Sequence, residues 1–198
     1  MQAPSQDEVF DLYRRSGNPN FDPSLSTDDP RQQDNGVNMQ LMLQAVVSGG
    51  IGGVKGLGFA KVDTRNEEEL KAAVAIFGFL LFGVNLENAQ KTQTNSGVWD
   101  YNWSLAWGGH AILGAAYEAN GIDVVTWAQR VRMTDRFVQK QLDEAWVLIW
   151  PEHLRDKTFL EGVDMQALAK DFSAITGRPF PVKIPTVADL ERSDFVLV

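Results

Sequence analysis

The chain has 198 residues, 44% hydrophobic and 22% charged, with 18 Lys+Arg against 26 Asp+Glu and a formal net charge of -8. These are globular values, so wholesale disorder is excluded and one substantial domain is expected. The acidic balance argues against nucleic acid or an anionic membrane surface as partner. With no cysteine in the sequence, disulfides, Cys-based zinc sites and a thiol nucleophile are excluded.

The first residues, Met1 to Ser5, have neither a basic start nor an apolar core, so they do not read as a signal peptide. Ser5-Gln6-Asp7-Glu8 is a capping box, and Val9, Phe10, Leu12 and Tyr13 continue it as a helical stripe that stops at Gly17. Residues 18–36 read as a loop rich in Pro, Asn, Asp and Ser. A second helix spans Val37 to Val47. The glycine-dense stretch from Gly49 to Gly58 matches no phosphate-loop spacing, and the strand Gly58–Val62 follows it in place of the helix N-terminus such a loop needs, so it reads as a turn.

Asn66 opens a third helix with three acids in its first turn. Phe79 to Val84 reads as a strand buried on both faces. The apolar run from Ala72 to Val84 is broken by glycine and too short to span a bilayer. Residues 86–106 read as irregular. Gly108–Tyr117 and Ile122–Trp127 read as two strands of a hairpin turning at Asn120-Gly121. Arg130, Arg132 and Arg136 read as a solvated basic face. Thr134 caps a short helix to Leu142, and Ala145–Ile149 is a further strand. Asp164 to Ile175 is an amphipathic helix with Met165, Leu168, Phe172 and Ile175 inward and Gly177 as its stop. Residues 177–198 form a tail with three prolines. Helices come first and strands gather later, which predicts an α+β fold with a mostly antiparallel sheet, residues 1–176 forming the domain.

There are two histidines, His110 and His153. They share no metal-binding spacing, and no metal or other cofactor is expected. His153 follows Pro151-Glu152 and reads as a surface residue. His110 begins an apolar strand after two glycines, and the hairpin returns Val125-Thr126-Trp127 beside it.

On these residues the sequence resembles the papain-like cysteine peptidases, in a divergent actinobacterial and actinophage branch. The family's His opens a strand of the type "HAV…GY", matched here by His110-Ala111-Ile112 to Gly114 and Tyr117. Its returning Asn-Ser-Trp-Gly element is replaced by Val125-Thr126-Trp127-Ala128. Asp34-Asn35-Gly36 matches a motif that opens a helix in the divergent branch, and Ser5 to Tyr13 resembles the family's "LSEQEL" helix. The likeness runs from residue 5 to about residue 154. It implies a papain-like fold in which His110 is the base of a hydrolytic site.

The departures are equally specific. The family's Cys opens a central helix that precedes the helix matched here at Ser5, with a Gln before it, so the resemblance implies that this helix is missing. The Asn that orients the His falls at Val125, which accepts no hydrogen bond, while the neighbouring Thr126 can stand in as orienter. Without thiolate and oxyanion donors the base is unproductive, and no peptidase activity is expected. Ser5 is a poor substitute nucleophile, because Asp7 and Glu8 disfavour an alkoxide there.

Two further features concern partners. Trp99, Trp103 and Trp107 form a Trp-rich stretch near His110 that reads either as wall packing or as an interaction platform for protein or carbohydrate. The apolar end, with Phe195, Val196 and Leu197, can add a strand to a partner's sheet edge. The combined reading is a non-catalytic papain-like structural or interaction protein with protein partners or self-assembly. It is made in the cytoplasm, with a phage virion component as one setting. The alternatives are a peptidase or amidase part whose Cys segment comes from another chain, and a carbohydrate-binding module.

Overall fold

The computed structural model describes residues 3–177, 179–180 and 183–190. The predicted capping box is present. Ser5 Oγ accepts from the Glu8 amide at 3.3 Å, and Glu8 reaches back to the Ser5 amide at 2.7 Å, which starts α1 (Gln6–Arg15). Asn38 caps α2 (Met39–Gly49), two residues later than the predicted start. The glycine-dense segment is a tight turn in which Ile51 and Val54 bridge each other. It leads into β1 (Gly58–Val62). Asn66 caps α3 (Glu67–Phe77), which ends at Gly78 in the left-handed conformation.

β2 (Leu80–Glu87) has one fully buried face, carrying Leu80, Phe82, Val84 and Leu86; its other face is only half-covered. The supposedly irregular segment after it contains α4 (Asn88–Ser96) and the short β3 (Val98–Trp99). β4 (Ala106–Glu118) and β5 (Gly121–Thr126) form the predicted hairpin. Gly121 has φ +146, and a Cβ there would stand 2.1 Å from the Met133 carbonyl oxygen, so the turn and the neighbouring strand both require glycine.

A third strand, β6 (Gln129–Thr134), continues the hairpin and was not expected. Thr134 then caps α5 (Asp135–Gln141), and β7 (Leu142–Ile149) follows. A 3₁₀ turn (His153–Arg155) leads to α6 (Lys157–Gly162), α7 (Met165–Thr176) and α8 (Val187–Leu190). Met165 and Leu168 are buried as predicted, while the side chains of Phe172 and Ile175 lie outside those described.

The seven strands form one sheet in the order β1-β7-β2-β4-β5-β6-β3, antiparallel except for the β3–β6 pair. The alternation along β2 separates two cores. Leu80, Phe82 and Val84 join Leu70 and Val74 of α3 and Phe137 of α5. Leu81, Phe59 and Trp146 meet Met39, Leu43 and Val46 of α2. A third cluster seats Phe159, Met165 and Leu168 against Ile149 and Leu154. The α+β class and the mostly antiparallel sheet are as predicted.

The basic face is solvated at Arg130 and Arg136, as expected, and is also tied to a buried acid. Asp123 on β5 is 3% exposed and pairs directly with Arg132 on β6. Arg132 Nε donates to Asp123 Oδ1 at 2.7 Å, Arg130 donates to Oδ2, and Glu118 joins through Arg132 at 2.8 Å. A carboxylate taken out of water needs such donors, so Arg130 and Arg132 hold Asp123 while Arg130 and Arg136 remain exposed to solvent.

Candidate functional site

His110 lies near the start of β4, opposite Val84 of β2. The β4–β5 register reaches Leu113 and Val125, so the end of β5 and the following turn lie beside His110. His110 Nε2 is 2.7 Å from Thr126 Oγ1. Thr126 is buried, whereas Val125, the residue aligned to the family's Asn, points outward and is 44% exposed. The hydrogen-bonding position at the end of β5 therefore falls one residue later than the sequence alignment placed it. In the tautomer with hydrogen on Nε2 the ring donates to the threonine, and Nδ1 keeps its lone pair. Among the described residues Nδ1 has no hydrogen-bond partner. Partial burial pushes the imidazole below its ordinary pKa, which favours the neutral ring.

Trp127 stacks on this ring, with centroids 4.3 Å apart and planes 16° from parallel. Trp107 lies 5.5 Å from Trp127 at 31°, and the edge of Trp99 meets Trp127 at 6.0 Å. The three tryptophans singled out from sequence thus have different fates. Trp99 is fully buried, packs on Phe137 and donates its indole N–H to Thr94 Oγ1 at 2.9 Å. It is core, not an interaction surface, because β3 places it over α5 and the hydrogen bond satisfies its polar edge. Trp107 is half-exposed with Lys91 over its ring, and Trp103 is 76% exposed. Phe195, Val196 and Leu197 lie outside the described residues.

An open groove of about 480 Å³ runs past His110 between the N-terminal helices and the sheet. Tyr13, Asn35, Gly36 and Met39 border it on one side; Gly83, Asn85, Gly109 and Glu144 border it on the other. The Asp34-Asn35-Gly36 motif is therefore brought to the same groove as His110. Its conformation is fixed by Tyr13, whose hydroxyl donates to Asp34 Oδ1 and accepts from the Gly36 amide at 3.1 Å. Burial, then the Asp34 carboxylate, push the Tyr13 hydroxyl up to about 12, so it stays protonated and keeps that bond.

His153, read as surface, is half-buried. Its ring stacks on Phe159 at 4.9 Å and meets the edge of Phe77, and Nδ1 accepts from the Trp150 amide at 3.2 Å. The structure does not bring it to His110's site. Among the described residues, no group of three or more His, Cys, Asp or Glu side chains is placed to hold a metal ion, and no helix is long and apolar enough to cross a membrane.

No protein-family model matches the sequence, and no curated protein matches it. Solved structures resemble the chain, two cysteine proteases among them. Xylellain, a cysteine protease from Xylella fastidiosa, aligns with a TM-score of 0.54 at 12% identity, over 70% of this chain and 68% of its own. The Carica candamarcensis cysteine protease CMS1MS2, solved in complex with E-64, aligns with a TM-score of 0.52 at 16% identity, over 75% of this chain and 78% of its own. At such identities the likeness speaks for the fold, and with the antiparallel sheet, the flanking helices and the groove already described it shows that this chain has a papain-like fold.

Proposed function

We propose that this chain is a papain-like domain that does not hydrolyse peptides by itself and serves as a structural or interaction protein. The observation that carries the reading is chemical. His110 is oriented by Thr126 beside an open groove as a base would be, yet the 198 residues hold no cysteine. Acyl transfer by a thiolate needs the sulfur as well as the base. We extend the reading to protein partners or self-assembly, with a phage virion as the setting suggested by the sequence resemblance. The purified chain, offered a panel of peptide and amide substrates, is expected to show no turnover above buffer. Turnover that His110→Ala abolishes would overturn the reading.

A second reading is favoured by the intact His110–Thr126 bond beside an open groove. Here the chain contributes the base to a site whose thiol-bearing segment comes from elsewhere. Its signature is a partner polypeptide with a cysteine that an epoxide reagent modifies only in the complex, and not when His110 is replaced by Ala.

A further inference from the structure

The turn between β5 and β6 has two residues, Trp127 and Ala128, flanked by the pair Thr126 and Gln129. Both have positive φ, 44° and 58°, and they are the non-glycine residues with this conformation among those described. Two-residue hairpins of this kind normally carry Asn-Gly or Gly-Gly, because a Cβ in the left-handed region is crowded by the following carbonyl. Neither Trp nor Ala relieves that crowding. Strain of this sort persists where surrounding contacts over-determine it.

The contacts are those of the Trp127 ring. It meets His110 at 4.3 Å, Trp107 at 5.5 Å and Trp99 at 6.0 Å. Trp99 is fully buried and serves the core. Trp107 does not: it is 42% exposed at the start of β4, three residues before His110, and its ring carries Lys91 Nζ at 5.0 Å. Among the described residues its aromatic and cationic ring partners are Trp127 and the ammonium of Lys91. An indole left half in water against a strained turn is poorly explained by burial alone. It is explained by the ring it braces.

We propose that Trp107 is a positioning residue for His110, acting through Trp127: it braces the indole of the strained turn so that this indole stays flat on the imidazole while Nε2 stays on Thr126. The Lys91 ammonium adds a cation–π contact on Trp107 and ties the brace to α4. The proposal rests on the second reading above, in which His110 is the base of the groove, but it concerns where the ring sits and not whether a bond is cleaved.

The test reads the imidazole directly. In the wild-type chain, the His110 ring protons are expected to resonate upfield of their usual positions through the stacked indole and to titrate below the ordinary histidine range. Trp107→Ala is expected to move these resonances downfield and the titration midpoint upward, because the ring gains water as the indole loosens. Trp107→Phe, which restores an aromatic face, is expected to return both most of the way. A Trp107→Ala protein that melts earlier but leaves the His110 shifts and midpoint unchanged would show a merely structural tryptophan and overturn the proposal. If Trp107→Ala does not fold, Trp107→Leu carries the same test, since it keeps apolar bulk without a ring. None of these readouts involves substrate turnover, so their failure is distinct from that of the function proposed above.

Discussion

Gly114 gives a worked test of the packing that fixes β4, the strand carrying His110. A Cβ at this position would stand 2.3 Å from Phe82 Cε2, 2.9 Å from Cζ and 3.0 Å from Cδ2. Carbon atoms rest at about 3.5–4.0 Å, so the ring in Gly114→Ala must retreat by about 1.2–1.7 Å. Phe82 is fully buried, and Leu80, Val84, Ile112 and Val124 of the same cluster are buried as well, so the ring has no solvent to turn into. Overpacking of this kind costs about 1–3 kcal/mol, and a displacement this large belongs at the upper end. Alanine's advantage over glycine in a strand returns roughly 0.5–1 kcal/mol, which leaves a net loss of about 2 kcal/mol. For a domain of this size that lowers the melting temperature by about 4–8 °C. Thermal and urea unfolding followed by circular dichroism measure it. Phe82→Leu removes the atoms that collide, so the double variant should be more stable than the sum of the single changes by about 1–2 kcal/mol. A Gly114→Ala protein as stable as the wild type, or strictly additive effects, would refute the steric argument.

Thr126→Val keeps the shape but removes the hydroxyl. It should cost about 1 kcal/mol by urea unfolding and free the His110 Nε2 resonance, with Thr126→Ser restoring both. Asp123→Asn should cost about 2 kcal/mol, because it breaks charge-assisted bonds to Arg132 and Arg130 around a buried group. The hydrogen bond from Arg132, then that from Arg130, hold the Asp123 carboxyl below its ordinary pKa. Its stabilisation is therefore present above the unfolded value near 3.8 and lost as pH falls through the folded value, an acid dependence the Asn variant should flatten. Burial also lowers the pKa of His153 against the weaker opposing pull of Glu152, Asp156 and the Phe77 carbonyl. The neutral ring is the folded form, so stability should fall as pH drops from about 6.5 through the lower folded value. His153→Gln should remove that part of the pH profile in chemical unfolding scans.

The elements legible in the sequence were those with local chemistry of their own. Ser5 with Glu8, Asn66 with its acids, Thr134 and the Asn120-Gly121 turn each specify an end or a reversal within a few residues, and each is where it was expected. α4 was missed because Asn88–Ser96 has no apolar stripe; it buries Gln90, whose amide donates to Gln93 and to the Asp100 carbonyl. β6 shows the alternation of a strand at Arg130 to Thr134, but its arginines read as a solvated face until the fold places Asp123 beside them. The same non-local pairing decides the site. His110 and the Thr126 region could be joined by reading one hairpin. The left-handed turn at Trp127 and the convergence of Trp107 on it depend on a two-residue reversal whose Trp and Ala carry none of the usual Asn or Gly turn signals, although the alternation Arg130-Val131-Arg132-Met133-Thr134 marks β6 itself.

The outer strand order has a consequence for how the molecule is made. β1, residues 58–62, finds its partner in residues 145–149 of β7, which also lines one side of β2. While the ribosome is still reading the intervening codons, two hydrogen-bonding edges remain bare, and the backbone of Phe59 and Phe82 is open to any passing extended chain. Slow emergence of the second half should therefore be the stage at which this polypeptide needs a chaperone, and where crowded expression would drive it into inclusion bodies.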